Sequence, residues 1–450
     1  MSKLREFIIK DVRCFEGEQR ANIRPITLLV GENSTGKTSF LGSYRALHQV
    51  LNGHQYAPTM LWHLNFNVEP FQMGAFRDIY RSKRGKSNGR DDFMLGCSMD
   101  DGNNKHDIFL RFTEKGFEPA ITSLRFQISE KSYLEIQITQ DQNIILKIPG
   151  HTIKAKRTRF HYDELYLFFI LLGRGFYPPD KERILNIIDI EEKEADILNK
   201  FLSEKLAIHH AANSITNIKP YWLGEEKSIA PLRSKPKRTY DPITEVSTPE
   251  GDHIPMLMMR LLRTKDKKWD TLHEDLVEFG NQSGLFSDIK IKGHGKQIND
   301  SFQLRVKVRT GPQSNIIDVG YGVNQILPIL VEIIHSSRTT FLLQQPEVHL
   351  HPRAQAEFST FLAKSVSKKG HSFLIETHSD YIIDRMRISV RDGIIKNPDD
   401  VSILYFDPEK RGGSVKIHNI KVDKQGNLID TPPGYRDFFM KESDKLLGFS

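Results

Sequence analysis

Cysteine is scarce in this chain. Two residues, Cys14 and Cys97, among 450 cannot build a disulfide framework, and they fit a reducing, cytoplasmic setting. Long apolar runs are missing as well. No stretch of roughly eighteen apolar residues occurs, so a bilayer-spanning helix is not expected. The opening MSKLREFIIKDVRCF lacks the apolar core of a secretory signal. No repeat of fixed period recurs, which disfavours a solenoid. Nor is charge strongly one-sided: a formal net charge of +7 is compatible with a nucleic-acid partner without requiring one.

What is present is a chain long enough for two or three domains, with 38% hydrophobic residues to form a core. The most specific stretch is ITLLVGENSTGKTS at positions 26–39. Four apolar residues suit a strand covered on both faces, and GENSTGKT satisfies G-x-x-x-x-G-K-[ST] at every fixed position. Gly31 and Gly36 allow the backbone to curl so that its N–H groups face phosphate oxygens, and the helix that follows adds its positive end. In this motif Lys37 reaches the β and γ phosphates, and the Thr38 hydroxyl sits on Mg²⁺.

Around the loop, residues 4–15 and 21–23 read as strands. Positions 38–51 read as a helix, with Phe40, Leu41, Tyr44, Leu47 and Val50 on one face. The segment RSKRGKSNGRDD, beginning at Arg81, reads as an exposed loop. From Phe93 the pattern turns to β, and segments 93–99, 107–113, 121–128, 133–139 and 143–148 predict an antiparallel meander. Residues 160–212 read as helical, split at Pro178-Pro179. The second piece carries Ile184, Ile187, Ile188, Ile197, Leu198, Phe201 and Leu202 at helical spacings. Basic density peaks at 231–240, where Arg233, Lys235, Lys237 and Arg238 form either a solvated loop or a grip on phosphates. Helices are expected at 254–264 and 268–280, and a strand at 302–309.

The C-terminal third holds three further motifs. A strand at 339–343 runs into QQPEVHLHP, and another at 372–375 runs into ETHSD. Both place polar groups at the C-terminal ends of buried strands, where ligands of parallel sheets collect. Upstream, DVGYGVNQ is a glycine turn opening the apolar helix 326–334, whose N-terminus could hold a second phosphate.

The order GENSTGKT, DVGYGVNQ, strand-QQPEVHLHP and strand-ETHSD resembles the ABC-type ATPase heads of the overcoming-lysogenisation-defect (OLD) class, distant relatives of SMC and ABC-transporter ATPases. The resemblance implies an α/β fold, an ABC/SMC-like P-loop ATPase head with an antiparallel β lobe and a helical insertion. Its parts are an N-terminal core half with the lobe (1–150), the insertion and basic segment (151–300), and a C-terminal core half (301–450). It implies that Gly31, Glu32, Asn33, Ser34, Thr35, Gly36, Lys37, Thr38 and Ser39 bind ATP. Gly320, Gly322 and Gln325 form the signature that completes a second protomer's site, giving a homodimer or higher oligomer. His378 becomes the switch histidine, Gln72 a Q-loop residue on the Mg²⁺ side, and Arg13 a neighbour of the nucleotide. The pair His349 and His351 then belongs to the loop after the second core strand rather than to a metal site.

One departure concerns the chemistry. The resemblance places an acidic Mg²⁺ partner at Gln344 and a catalytic glutamate at Gln345, yet both are amides. An amide oxygen accepts a hydrogen bond from metal-bound water but brings no charge and takes no proton. Slow hydrolysis is expected unless Glu347 or another carboxylate supplies the missing base, with Lys37, Gln345, Glu347 and His378 as the catalytic set. Residues 379–450 are too short for the toprim nuclease domain of full-length OLD proteins. The chain therefore resembles standalone ATPase subunits of two-component antiphage systems, PtuA-like of Septu and retron systems or AriA-like of PARIS, which work with a separately encoded effector nuclease or toxin. The competing expectation is a DNA-binding repair-type ATPase gripping DNA through 233–238 and 81–90.

Overall fold

The structure is a computed structural model, and it describes residues 3–52, 65–81, 91–100, 105–139, 143–157, 182, 184–185, 188–204, 225–241, 246–264, 266–295, 300–409, 413–435 and 445. They belong to two units interleaved along the chain. One comprises Met1–Ile23, Ser34–Gly224 and Asp407–Ile417; the other comprises Arg24–Asn33, Glu225–Phe406 and His418–Ser450.

Strands β1 (Lys3–Val12), β2 (Phe15–Asn22) and β3 (Ile26–Gly31) precede helix α1 (Lys37–Asn52). Next come a small hairpin of β4 (Asn67–Val68) and β5 (Phe71–Gln72) and the single-turn helix α2 (Phe76–Ile79). The expected meander is present as β6 (Asp92–Asp100), β7 (Lys105–Lys115), β8 (Glu118–Ser129), β9 (Ser132–Ile138) and β10 (Ile144–Ile148). It continues into β11 (His151–Arg157) and β12 (Ile188–Asp189). The first unit's nine-stranded sheet has the order β12-β11-β10-β9-β8-β7-β6-β1-β2. Alternation explains its one-sided core: His106, Ile108, Leu110 and Phe112 of β7 are buried while their neighbours are more exposed. The Phe93 and Phe112 rings stack across β6 and β7 at 4.9 Å.

The second of the two helical pieces expected within 160–212 is interrupted. Ile188 and Asp189 pair instead with Arg157 and Lys156, and α3 (Glu192–Glu204) begins only afterwards. The Glu194 carboxylate accepts the Glu191 N–H, which marks a fresh helix start. Ile188 is β-branched and fully buried, so strand pairing suits it as well as helix does. The preceding helical piece lies mostly outside the described residues.

The second unit is built on a seven-stranded sheet of order β13-β17-β18-β3-β19-β20-β21. Its members are β13 (Glu225–Ile229), β17 (Thr339–Gln344), β18 (Ser372–Glu376), β19 (Val401–Pro408), β20 (Val415–Val422) and β21 (Leu428–Ile429), with β3 at the centre. The run from β13 to β19 is parallel. Near-continuous burial of β3, β17 and β18 accounts for their unbroken apolar sequences. The core also takes residues from α4 (Ile254–Arg263), α5 (Lys267–Ser283), α6 (Tyr321–His335), α7 (Pro352–Lys369) and α8 (Asp380–Arg391). A side sheet holds β14 (Asp288–Gly293), β15 (Phe302–Lys307) and β16 (Gln313–Asn315). Among the described residues no helix is long and apolar enough to cross a membrane.

Candidate nucleotide site

The parallel register brings the motif-bearing strand ends together. Leu29 of β3 lies opposite Glu376 of β18, and Glu376 lies opposite Gln344 of β17. The Thr377 N–H donates to the Leu29 carbonyl at 3.1 Å, and the Gln345 N–H to the Glu376 carbonyl at 2.8 Å. Three strands that end in GENSTGKT, QQPE and ETHSD thus finish side by side. Gln345 takes a left-handed φ of 42° and His349 one of 66°. For non-glycine residues this costs energy and marks a loop whose shape the fold imposes.

Glu347 lies between the two C-terminal loops. Its Oε1 accepts the His378 N–H at 2.7 Å. Burial raises its pKa above the ordinary carboxylate value, while the His378 and Glu347 N–H groups, the Thr377 hydroxyl and the Arg233 charge pull the other way. Gln344 is buried, and its Oε1 has no hydrogen-bond partner among the described residues. An unmet buried acceptor costs about 1–3 kcal/mol. The His378 side chain is exposed. Ser379 caps α8 by accepting the Ile382 N–H at 3.2 Å, which fixes where that loop ends.

The signature segment opens α6. Gly320 is its N-cap, has no side chain to satisfy the first turn, and faces open space where a Cβ would stand. Gly322 differs, because a Cβ there would lie 3.0 Å from the His349 carbonyl oxygen. Tyr321 packs edge-on against the His349 ring at 5.0 Å. Gln325 is 3% exposed, and its Oε1 faces the Arg233 N–H at 3.4 Å within the same subunit.

The phosphate loop continues from the end of β3 into α1. Gly31, Ser34 and Gly36 have φ of 148°, 62° and 86°, a backbone of the kind that turns N–H groups inward on an anion. A Cβ on Gly36 would collide with Cys14 Sγ and reach 3.0 Å from Phe15 Cζ. Lys37 is 3% exposed, with Nζ 3.4 Å from the Thr35 hydroxyl. Arg13 is tied to the start of α1, donating through Nη1 to Ser39 Oγ at 2.8 Å and through Nη2 to the Met73 carbonyl at 2.9 Å. Gln72 is exposed in the hairpin, and its amide donates to Glu69 at 2.8 Å. These residues fit a nucleotide. Lys37 and the loop amides would hold phosphates, and the Thr38 hydroxyl is an oxygen of the kind a hydrated Mg²⁺ takes; the ion would supply charge neutralisation. Among the described residues no group of three or more His, Cys, Asp or Glu converges as a metal site, which includes His349 and His351.

Of the four cations in the basic segment 231–240, Arg233 alone is taken out of the surface; Lys235, Lys237 and Arg238 are exposed. Arg233 is buried, donating through Nε to the Gln325 carbonyl at 3.0 Å and through Nη2 to the Pro346 carbonyl at 3.2 Å. Arg238 is engaged by Asp318 through two hydrogen bonds of 3.1 and 2.7 Å. The companion loop expected at 81–90 lies outside the described residues apart from Arg81. Sequence reasoning missed Arg233 as a structural residue, because the strand that precedes it, β13, reads as surface in the sequence.

A phosphate loop on the central strand of a parallel sheet, with an antiparallel lobe in the same chain, defines an ABC/SMC-like P-loop ATPase head. The chain belongs to the AAA ATPase domain family, which matches residues 2–383. None of the curated proteins compared matches it. Among solved structures it is similar to an SMC head bound to the C-winged helix domain of ScpA, at 9% identity and a TM-score of 0.43, covering 94% of this chain and 98% of that one. It is also similar to an SMC head with an extended coiled coil bound to the C-terminal domain of ScpA derived from Pyrococcus furiosus. There the identity is 11% and the TM-score 0.42, over 100% of this chain and 99% of that one. The SMC head of Thermotoga maritima follows at 8% identity and a TM-score of 0.38, over 94% and 99%. Likenesses at these scores add nothing to what the sheet and its motifs establish.

Proposed function

We propose that this ATPase is an ATP-operated assembly switch. ATP on Gly31, Gly36, Lys37 and Thr38 closes two copies, each presenting Gly320 and Gly322 at the N-terminus of α6 to the other's nucleotide. The closed state then restrains or activates a separately encoded effector nuclease or toxin in antiphage defence. Hydrolysis is slow, because Gln344 and Gln345 stand where an acidic metal partner and a base belong. Glu347 is the carboxylate left to accept a proton, and His378 senses the γ-phosphate.

The observation that carries this reading is the register of β3, β18 and β17, which ends the three motif-bearing strands at one edge of one sheet. The open N-terminus of α6 supports the second half of a composite site. The resemblance of the motif order to standalone antiphage ATPase subunits supports the defence role. Of the four cations offered for gripping DNA in 233–238, two are already engaged within the subunit.

The decisive experiment is co-purification with the product of the neighbouring gene, with and without ATP, for wild type and Lys37→Ala. An ATP-dependent complex lost in Lys37→Ala, with turnover slower than dissociation of the assembly, fits the switch. Brisk steady-state hydrolysis abolished by Lys37→Ala, with no ATP-dependent partner, sinks it.

A further inference from the structure

Arg233 follows the end of β13 and is 5% exposed. Burial pushes its pKa down to about 10, against the pull of Glu347, so it stays cationic at neutral pH. A buried guanidinium is costly to desolvate unless its donors are met, and here they are met by backbone. Nε donates to the carbonyl of Gln325 at 3.0 Å, Nη2 to the carbonyl of Pro346 at 3.2 Å, and Nη1 to the carbonyl of Pro231. Gln325 lies in the first turns of α6, behind Gly320 and Gly322. Pro346 lies between Gln345 and Glu347.

The bonds continue beyond the arginine. Glu347 accepts the His378 N–H at 2.7 Å, and the neighbouring Thr377 N–H donates to Leu29 of β3 at 3.1 Å. A polar strap therefore runs within one subunit from the strand that feeds the phosphate loop, through both C-terminal loops, to the signature helix. Arginine suits its centre because a rigid planar fork can satisfy two carbonyls in fixed directions, which a lysine ammonium on a flexible stem cannot do.

We propose that Arg233 is a positioning residue that couples nucleotide at the phosphate loop to the setting of α6, so that ATP binding and presentation of Gly320 and Gly322 are one event. This rests on the switch reading above and adds the internal connection it needs. It removes Arg233 from the nucleic-acid role that its sequence neighbourhood invites.

The test uses the full chain with ATP and Mg²⁺, comparing wild type, Arg233→Lys and Arg233→Gln. ATP affinity is titrated at protein concentrations too low for association, and ATP-dependent association is followed by sedimentation velocity. Coupling by Arg233 leaves monomer affinity within about twofold of wild type and weakens association at least about tenfold, in the lysine variant as well. Association equal to wild type overturns the proposal, and so does a parallel fall of affinity and association, which marks a merely structural role. Should Arg233→Gln fail to fold, Arg233→Lys carries the comparison. Should wild type bind ATP without associating, the dimer reading fails by itself and hydrogen exchange of the α6 amides decides the coupling. Slowing by ATP in wild type but not in Arg233→Lys upholds it, and any other pattern overturns it. A wild type that binds no ATP overturns both.

Discussion

The main-chain amide of His378 donates to Oε1 of Glu347 across 2.7 Å, joining the loops that end two adjacent parallel strands. The carboxylate thereby becomes a fixed part of the strand-end geometry rather than a loop residue free to turn outward. It is the acidic member of QQPE, and burial holds its pKa above the ordinary carboxylate value, against the hydrogen bonds and the Arg233 charge that favour ionisation.

This arrangement predicts a specific kinetic pattern. Gln345→Glu restores a carboxylate at the position next to the strand end, and single-turnover hydrolysis should rise at least tenfold, since a placed general base contributes about 10²–10⁴-fold. Glu347→Gln should remove most of the residual rate while leaving ATP affinity little changed. A base with a raised pKa is protonated as the pH falls, so the wild-type rate should climb with pH and level off above that raised value. The Glu347→Gln profile should be flat. Quench-flow measurements between pH 5 and 9 check this, and equal rates for wild type and Glu347→Gln would show that Glu347 is not the base.

Gly36 makes a prediction about the loop itself. Its φ of 86° is left-handed, and a Cβ there would collide with Cys14 Sγ. Gly36→Ala should therefore abolish the ATP-induced rise in melting temperature. Adding Cys14→Ala relieves one collision but leaves the backbone strain and the Phe15 ring 3.0 Å away. Only partial recovery is expected, read as the ATP-dependent shift in differential scanning fluorimetry. Full recovery would show that the cysteine contact alone, not the conformation, demands glycine.

Much of this was legible in the chain because it depends on local chemistry. The phosphate loop is contiguous, β3, β17 and β18 are apolar because they are buried on both faces, and the meander alternates because one side is buried. Strand β13 was not legible. Its sequence EEKSI carries three charges in five residues and reads as surface, yet it pairs in parallel with β17 at the sheet edge, where Lys227 meets Glu332 at 2.5 Å. Arg233 was misread for the same reason. Whether a cation in a basic loop faces water or two carbonyls distant in sequence is decided by tertiary contacts, and no periodicity reports them. Nor could sequence show that Gln325 turns toward Arg233 inside its own subunit.

The edge of that sheet carries a stability prediction. Glu332 is buried, which by itself disfavours its charge. The hydrogen bond with His253 at 3.0 Å and the charge of Lys227 outweigh this and lower its pKa to about 2. A carboxylate depressed in the folded state stabilises above its ordinary value near 4.5 and loses that contribution as the pH falls toward 2. Thermal melts of wild type should therefore drop across that window, and those of Glu332→Gln should drop less. At pH 7, Glu332→Ala removes the partner of a mostly buried lysine and should cost about 3 kcal/mol. A pH profile identical to that of wild type would refute the assignment.

Gly320 and Gly322 separate folding from assembly. Gly320 has a φ of −58° that any residue can adopt, and open space where a Cβ would stand. Neither strain nor crowding demands glycine there, so Gly320→Ala should lose only what alanine costs at an N-cap, about 0.5 kcal/mol. Gly322→Ala should lose about 1 kcal/mol instead, because its methyl would press on the His349 carbonyl oxygen at 3.0 Å and force α6 away from that loop. If the N-terminus of α6 meets the nucleotide of a second copy, a bulkier Gly320→Leu should melt like Gly320→Ala and bind ATP normally as a monomer, yet fail to associate when ATP is added. Sedimentation with and without ATP, set beside the melting curves, reads both properties on the same samples. A Gly320→Leu variant that still associates with ATP places the interface elsewhere.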